Sequence, residues 1–188
     1  MPPTHPLTNS QPQPQPHPHP HLDPPLFNLC TTALARIPPS DDNHTVAAAV
    51  RTRLTGQTFV ALNVYHFTGG PCAELSVLGA AAAQGVRAGD METIMAVCRR
   101  GERGERGDVY RVVNPCGRCA QVLLDYNPEI EVVVLDGEGR EVRVGVRDLM
   151  GYPSVWEDGN TGREEKRKAL EELGGSEVGA EGVVEGGV

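Results

Sequence analysis

The sequence predicts an α/β protein, a three-layer α/β/α sandwich around a mixed sheet of about five strands. Three observations predict it. Along the 188 residues, apolar spacing alternates between the helical period and short strand-like runs. Read in order, the segments run helix, hairpin, helix, strand, helix, strand, strand. Helices placed between single strands demand crossover connections, and crossovers lay helices over both faces of a sheet.

Each element has its own signal. Residues 26–37, LFNLCTTALARI, carry apolar side chains at helical spacing and stop before Pro38 and Pro39, so they predict a first helix with Cys30 on its apolar side. Residues 46–53 and 57–64 are strand-like runs parted by Leu54, Thr55 and Gly56, the pattern of a β-hairpin. Residues 71–84 follow Gly69 and Gly70, open on Pro71 and stop at Gly85, which predicts a helix with Pro at its first position. Residues 94–98, IMAVC, form a short buried strand, with Cys98 a core residue. A charged, Gly-punctuated loop, RRGERGERGDVYRVVN, fills 99–114. A third helix covers 115–126 and ends at Asn127 and Pro128. Residues 130–135 and 141–146 are strands parted by DGEGR, and 146–150 form a last short helix.

Composition limits what the chain does. Residues 1–21, rich in Pro, Gln and His, cannot bury enough apolar area to offset chain entropy and are expected to be a disordered leader. Residues 159–188 form a polar tail rich in Gly and Glu. One domain, 22–158, lies between them. The net charge of −8 opposes a groove for nucleic acid, because phosphate binding rests on Lys and Arg; a small molecule is the expected partner. No apolar run approaches the ~20 residues of a membrane span, and no secretory signal opens the chain, so a cytoplasmic location is expected. The 5 cysteines, an odd number, speak against a disulfide framework.

Three of those cysteines sit at helix starts. Cys116 and Cys119, in PCGRC, lie at i and i+3 on one helix face, close enough for both sulfurs to reach one ion. Cys72 stands at the start of the preceding helix, and the partial positive charge of a helix N-terminus favours thiolate there. A C-x-x-C alone is a redox pair, a structural zinc half-site or a catalytic one; a third thiol weakens the redox reading. A structural site needs a fourth ligand, for which His66, His44 and Cys98 are the candidates, whereas a catalytic site leaves that position open. The open site is favoured by Glu74, two residues after Cys72, which suits a carboxylate moving the proton of an activated water. Arg118, between the paired thiols, can donate to thiolate sulfur and offset negative charge, or be a plain surface cation.

C-x-E followed by P-C-x-x-C resembles the signature of the zinc-dependent cytidine deaminase family. The longer texts NVYHFTGGPCAEL and NPCGRCAQVLLDY resemble its blasticidin-S deaminase branch, and the likeness covers roughly 26–158. The resemblance implies one Zn²⁺ per subunit on Cys72, Cys116 and Cys119, with Glu74 as the catalytic proton carrier. It also implies hydrolytic deamination of the cytosine ring of blasticidin S or a related nucleoside, a part in antibiotic resistance, and a homotetramer. By position, Asn63 contacts the sugar portion, Thr45 lies near the base, Tyr65 and Trp156 are further substrate contacts, and the 99–111 loop offers Arg106 or Arg111 as another, Arg106 being favoured because it keeps an Arg-Gly pair. Cytidine deaminases usually carry Asn-x-Glu where this chain has Asn63, Val64 and Tyr65, and losing that carboxylate argues against ordinary cytidine. Two rivals remain: a cytidine deaminase of pyrimidine salvage, and a non-catalytic module that uses zinc only to fold.

Overall fold

The computed structural model describes residues 21–100 and 109–154. Helix α1, Pro24–Ala35, starts two residues before the predicted 26 because both prolines fit the first turn, where a missing N–H costs nothing. Asp23 caps it, its Oδ1 accepting from the Leu26 N–H at 3.3 Å. The C-terminal carbonyls are closed by Arg99, whose guanidinium donates to the oxygens of Leu34, Ile37 and Pro38 at 3.1, 2.7 and 3.1 Å. A cation there also complements the helix dipole.

The hairpin forms as predicted. Strands β1, Val46–Thr52, and β2, Thr58–Leu62, pair antiparallel with Ala49 opposite Val60, and Gly56 takes the positive φ of +66° that the turn needs. Helix α2, Ala73–Ala82, follows and ends at Gly85, φ +82°. Strand β3, Met91–Arg100, is twice the predicted length. It pairs antiparallel with β1 along one edge.

The predicted 99–114 loop is corrected by the structure, because Val109–Val112 forms a strand, β4, antiparallel to the end of β3. Its four residues carry a strand-like text that the flanking charges and glycines hide. Helix α3, Gly117–Tyr126, then crosses back to β5, Glu131–Leu135, which runs parallel to β3 along Thr93–Met95. Strand β6, Glu141–Gly145, closes an antiparallel pair with β5, and Val146–Leu149 makes a single 3₁₀ turn. The sheet therefore has six strands in place of about five, ordered β2-β1-β3-β5-β6, with β4 sharing the β5 edge of β3.

Alternation along the strands sends side chains to two cores. Ala48, Val50, Ile94, Val132 and Val134 pack beneath α2 and α3, whereas Ala47, Ala49, Met95, Val97 and Val133 pack against α1. Three layers result, as predicted. The small side chains of Ala47, Ala48 and Ala49, all fully buried, let helices approach β1 closely from both sides. His21, assigned above to the leader, is docked on the fold: its Nδ1 lies 2.6 Å from Glu141 Oε1 and its ring stacks on Phe27. Among the described residues no helix is long and apolar enough to cross a membrane.

Candidate active site

The two thiol-bearing helix starts have the same local build. Cys72 and Cys116 are the N-cap residues of α2 and α3, both in extended backbone conformation. Pro71 and Pro115 precede the caps and do not occupy the first helical position predicted for them. Each cysteine's carbonyl accepts the first helical bonds, from Ser76 at 3.1 Å and from Ala120 at 2.9 Å. Crossovers bring the two starts together: Sγ of Cys72 and Sγ of Cys116 stand 3.9 Å apart. Cys119, on the first turn of α3 and fully buried, completes a group whose sulfurs all lie within 4.8 Å of one another.

That arrangement fits a tetrahedral thiolate site. With metal–sulfur bonds of about 2.3 Å, sulfurs of a zinc site stand about 3.8 Å apart, close to the 3.9 Å found. The five cysteines are all free thiols. Among the described residues the three sulfurs alone form a metal-sized group: His44 is bonded to Asp41, its Nδ1 2.9 Å from the carboxylate, His66 turns its Nδ1 to Thr68, and Cys98 is buried on β3.

The thiols differ in acidity. Burial lifts Cys119, with the charge of Glu74 adding to it; burial also lifts Cys72, against a hydrogen bond from the Cys119 thiol. Burial opposes ionisation of Cys116 too, but hydrogen bonds from the Cys119 N–H, the Cys119 and Cys72 thiols and the Arg118 N–H outweigh it and hold Cys116 below its ordinary value. Cys30, buried under α1, is pushed up to about 12 by desolvation. In metal-free protein, a short iodoacetamide pulse is therefore expected to modify exposed Cys116 first and to leave Cys30 untouched, because the thiolate is the nucleophile. Peptide mass spectrometry reads the order, and Zn²⁺ added beforehand is expected to protect Cys116.

Glu74 sits on the first turn of α2, only 6% exposed. Burial raises its carboxyl above the ordinary value, opposed by its own backbone N–H and by the Cys119 thiol. It lines, with Cys72 and Cys116, a cavity of about 360 Å³. The outer wall is the 63–66 segment folded against 69–71. Gly69 turns with φ +90°, the Val64 N–H donates to the Pro71 carbonyl at 3.1 Å, and a Cβ on Gly70 would stand 1.6 Å from the Val64 oxygen. Only glycine fits there.

The remaining predicted residues separate. Asn63 and Tyr65 line the cavity. The Asn63 amide is already engaged, accepting from the Val46 N–H at 2.9 Å and donating to the Asn43 carbonyl at 2.9 Å, which leaves one N–H for a ligand. Tyr65 is exposed at the rim. Thr45 does not line the cavity; its carbonyl accepts from Arg99 N–H at 3.0 Å, extending the β1–β3 ladder. Arg118 is exposed and reaches Cys116 through its backbone N–H. Arg106 and Trp156 lie outside the described residues, as do the leader up to residue 20 and the tail. Two polar cavity residues were not expected there from the sequence: His66, considered only as a metal ligand, and Asn114. For Asn114 the available signal was an amide side chain placed directly before Pro115.

Comparison with known proteins agrees with this geometry. No family model matches the chain. Blasticidin-S deaminase of Bacillus cereus is 34% identical over 112 residues, which span 58% of this chain and 76% of that protein. The crystal structure of cytidine deaminase from Burkholderia pseudomallei superposes with a TM-score of 0.53 at 27% identity, covering 69% of this chain and 97% of that one. Cytidine deaminase from Bacillus anthracis, at 16% identity and a TM-score of 0.56 over 78% of this chain and 96% of its own, shares the fold. A relative matched at that identity over three-quarters of its length, on a scaffold that superposes over nearly the whole of a cytidine deaminase, places the chain in the family of blasticidin-S deaminase and the cytidine deaminases.

Proposed function

We propose that the chain is a zinc-dependent aminohydrolase that removes the amine from the cytosine ring of blasticidin S or a related nucleoside. The observation that carries this reading is the convergence of three free sulfurs beside a buried carboxylate at one cavity. Family membership supports the same chemistry. Cys72, Cys116 and Cys119 would hold the ion, and the N-termini of α2 and α3 would offset the charge of three thiolates. Zn²⁺, when bound there, supplies the Lewis acidity that brings the pKa of a water to about 7.

Glu74 would carry the proton. It takes one from the attacking water and passes it to ring N3, then takes the second from the added hydroxyl and passes it to the departing amine, so that water and aminopyrimidine leave as ammonia and the ring carbonyl. Burial suits it, since a carboxyl with raised affinity holds the proton between those steps. Backbone groups of 67–73 would hold the edge of the ring, and the spare Asn63 N–H would meet the sugar portion. Thr45, Arg106 and Trp156 stay in this reading as further contacts, argued from the resemblance alone.

Tyr65 directs the choice of substrate. Where a cytidine deaminase places a carboxylate on the ribose hydroxyl, this rim offers an aromatic ring, and a lost hydrogen bond to a charged group is worth about 1.5–3 kcal/mol. Turnover of blasticidin S is therefore expected to exceed that of cytidine by about 10–100-fold in kcat/KM, followed as the ultraviolet absorbance of the cytosine ring falls. Preference for cytidine would make the chain a salvage enzyme. The same reading has a cytoplasmic homotetramer with one Zn²⁺ per subunit and a role in antibiotic resistance; light scattering that gives a stable monomer would remove the tetramer from it.

A further inference from the structure

Asn114 occupies a gap that the backbone cannot close. After β4, the Val113 N–H still donates to the Ala96 carbonyl of β3 at 2.9 Å. The chain then leaves the sheet to begin α3, and β5 ends alongside with both Leu135 backbone groups turned toward the departing chain. Pro115 has no N–H to offer. The Asn114 side chain supplies both partners: its Oδ1 accepts from the Leu135 N–H at 2.7 Å, and its Nδ2 donates to the Leu135 carbonyl at 2.9 Å. A side-chain amide thus stands in for a peptide group, two residues before Cys116.

We propose that Asn114 is a positioning residue of the thiol site, tying to β5 the 113–116 turn that Val113 already holds to β3, and so fixing where the Cys116 and Cys119 sulfurs meet Cys72. The Cys116 sulfur takes its hydrogen bonds from the Arg118 and Cys119 N–H groups of the same helix start, so its place moves with the backbone of this turn. Cys119 rides on the same helix, and any tilt of the turn moves both sulfurs together. Partners that orient metal ligands from outside the site are worth about 10–100-fold in metal affinity. Asn114 acts here on the protein frame and touches no ligand atom. The proposal rests on the metal reading given above.

The test titrates full-length wild type, Asn114→Ala and Asn114→Asp with Co²⁺, reading the visible ligand-field bands and competing the Co²⁺ with Zn²⁺. Asn114→Ala is expected to bind both ions about 10–100-fold more weakly and with altered bands. Asn114→Asp keeps the acceptor for the Leu135 N–H and is expected to fall less. A merely structural role lowers the melting temperature of the metal-free protein and leaves affinity and bands as in wild type; that result overturns the proposal. Should Asn114→Ala lose its far-ultraviolet circular dichroism, wild-type affinity and bands in Asn114→Asp overturn it equally. Wild type that binds no Co²⁺ overturns the metal reading itself, which is a distinct outcome.

Discussion

Glu74→Gln retains its metal and its fold and loses about 10²–10⁴-fold in kcat. The substitution keeps the shape of the side chain and removes only its capacity to take and return a proton. Zinc content is expected to match wild type, because the proposed ligands are the three sulfurs, a group to which Glu74 does not belong. Stability separates this outcome from structural damage. Burial raises the Glu74 carboxyl, so the folded metal-free chain holds that proton more tightly than the unfolded chain. Its contribution to stability is complete at low pH and is lost as pH rises through the folded value. Removing the ionisable group removes that loss, and metal-free Glu74→Gln is expected to melt at or above the wild-type temperature near pH 7. Turnover near the wild-type rate with zinc bound would end the proposed role of Glu74.

Gly70→Ala is the second large effect. The added Cβ would meet the Val64 carbonyl oxygen at 1.6 Å and its carbon at 2.7 Å, and neither atom belongs to a side chain that could swing aside. The 63–66 segment has to move, which breaks the Val64 to Pro71 hydrogen bond and shifts Asn63 and Tyr65 at the cavity wall. Overpacking of this kind costs about 1–3 kcal/mol or more, and a displacement of about 1 Å at a site is worth about 10²-fold in rate. Gly79→Ala is the control: it sits on the exposed side of α2 with open space around it, and is expected to keep full activity and gain about 0.5–1 kcal/mol. Equal activity of the two variants would show that the close approach of Gly70 to Val64 has no functional weight.

Much of this protein was legible before any coordinates. Periodicity located both helices whose starts carry the clustered thiols, because each has apolar spacing and a Gly or Asn-Pro stop, and Gly85 does take the positive φ expected of it. Cys72, Glu74, Cys116 and Cys119 stood out since their residue types and spacing have few other uses at helix starts. Strand β4 did not, since four residues inside a charged, Gly-rich text draw their strand character from the edge of β3 they pair with and little from their own pattern. Helix α1 starts two residues before the predicted 26, because apolar spacing begins only at Leu26 whereas Pro24 and Pro25 are first-turn residues capped by Asp23.

By itself, then, the sequence determined the helices, five of the six strands, their order and the identity of the four residues on which the chemistry is proposed to rest, all of which follow from local spacing and residue chemistry. Only the tertiary structure decided that Cys72 and Cys116, 44 residues apart, meet at 3.9 Å, that Gly70 is pressed on Val64, and that Asn114 completes β5. Those are contacts between segments distant in the chain, set by strand order and crossovers, and no local pattern encodes the distance at which two such segments come to rest.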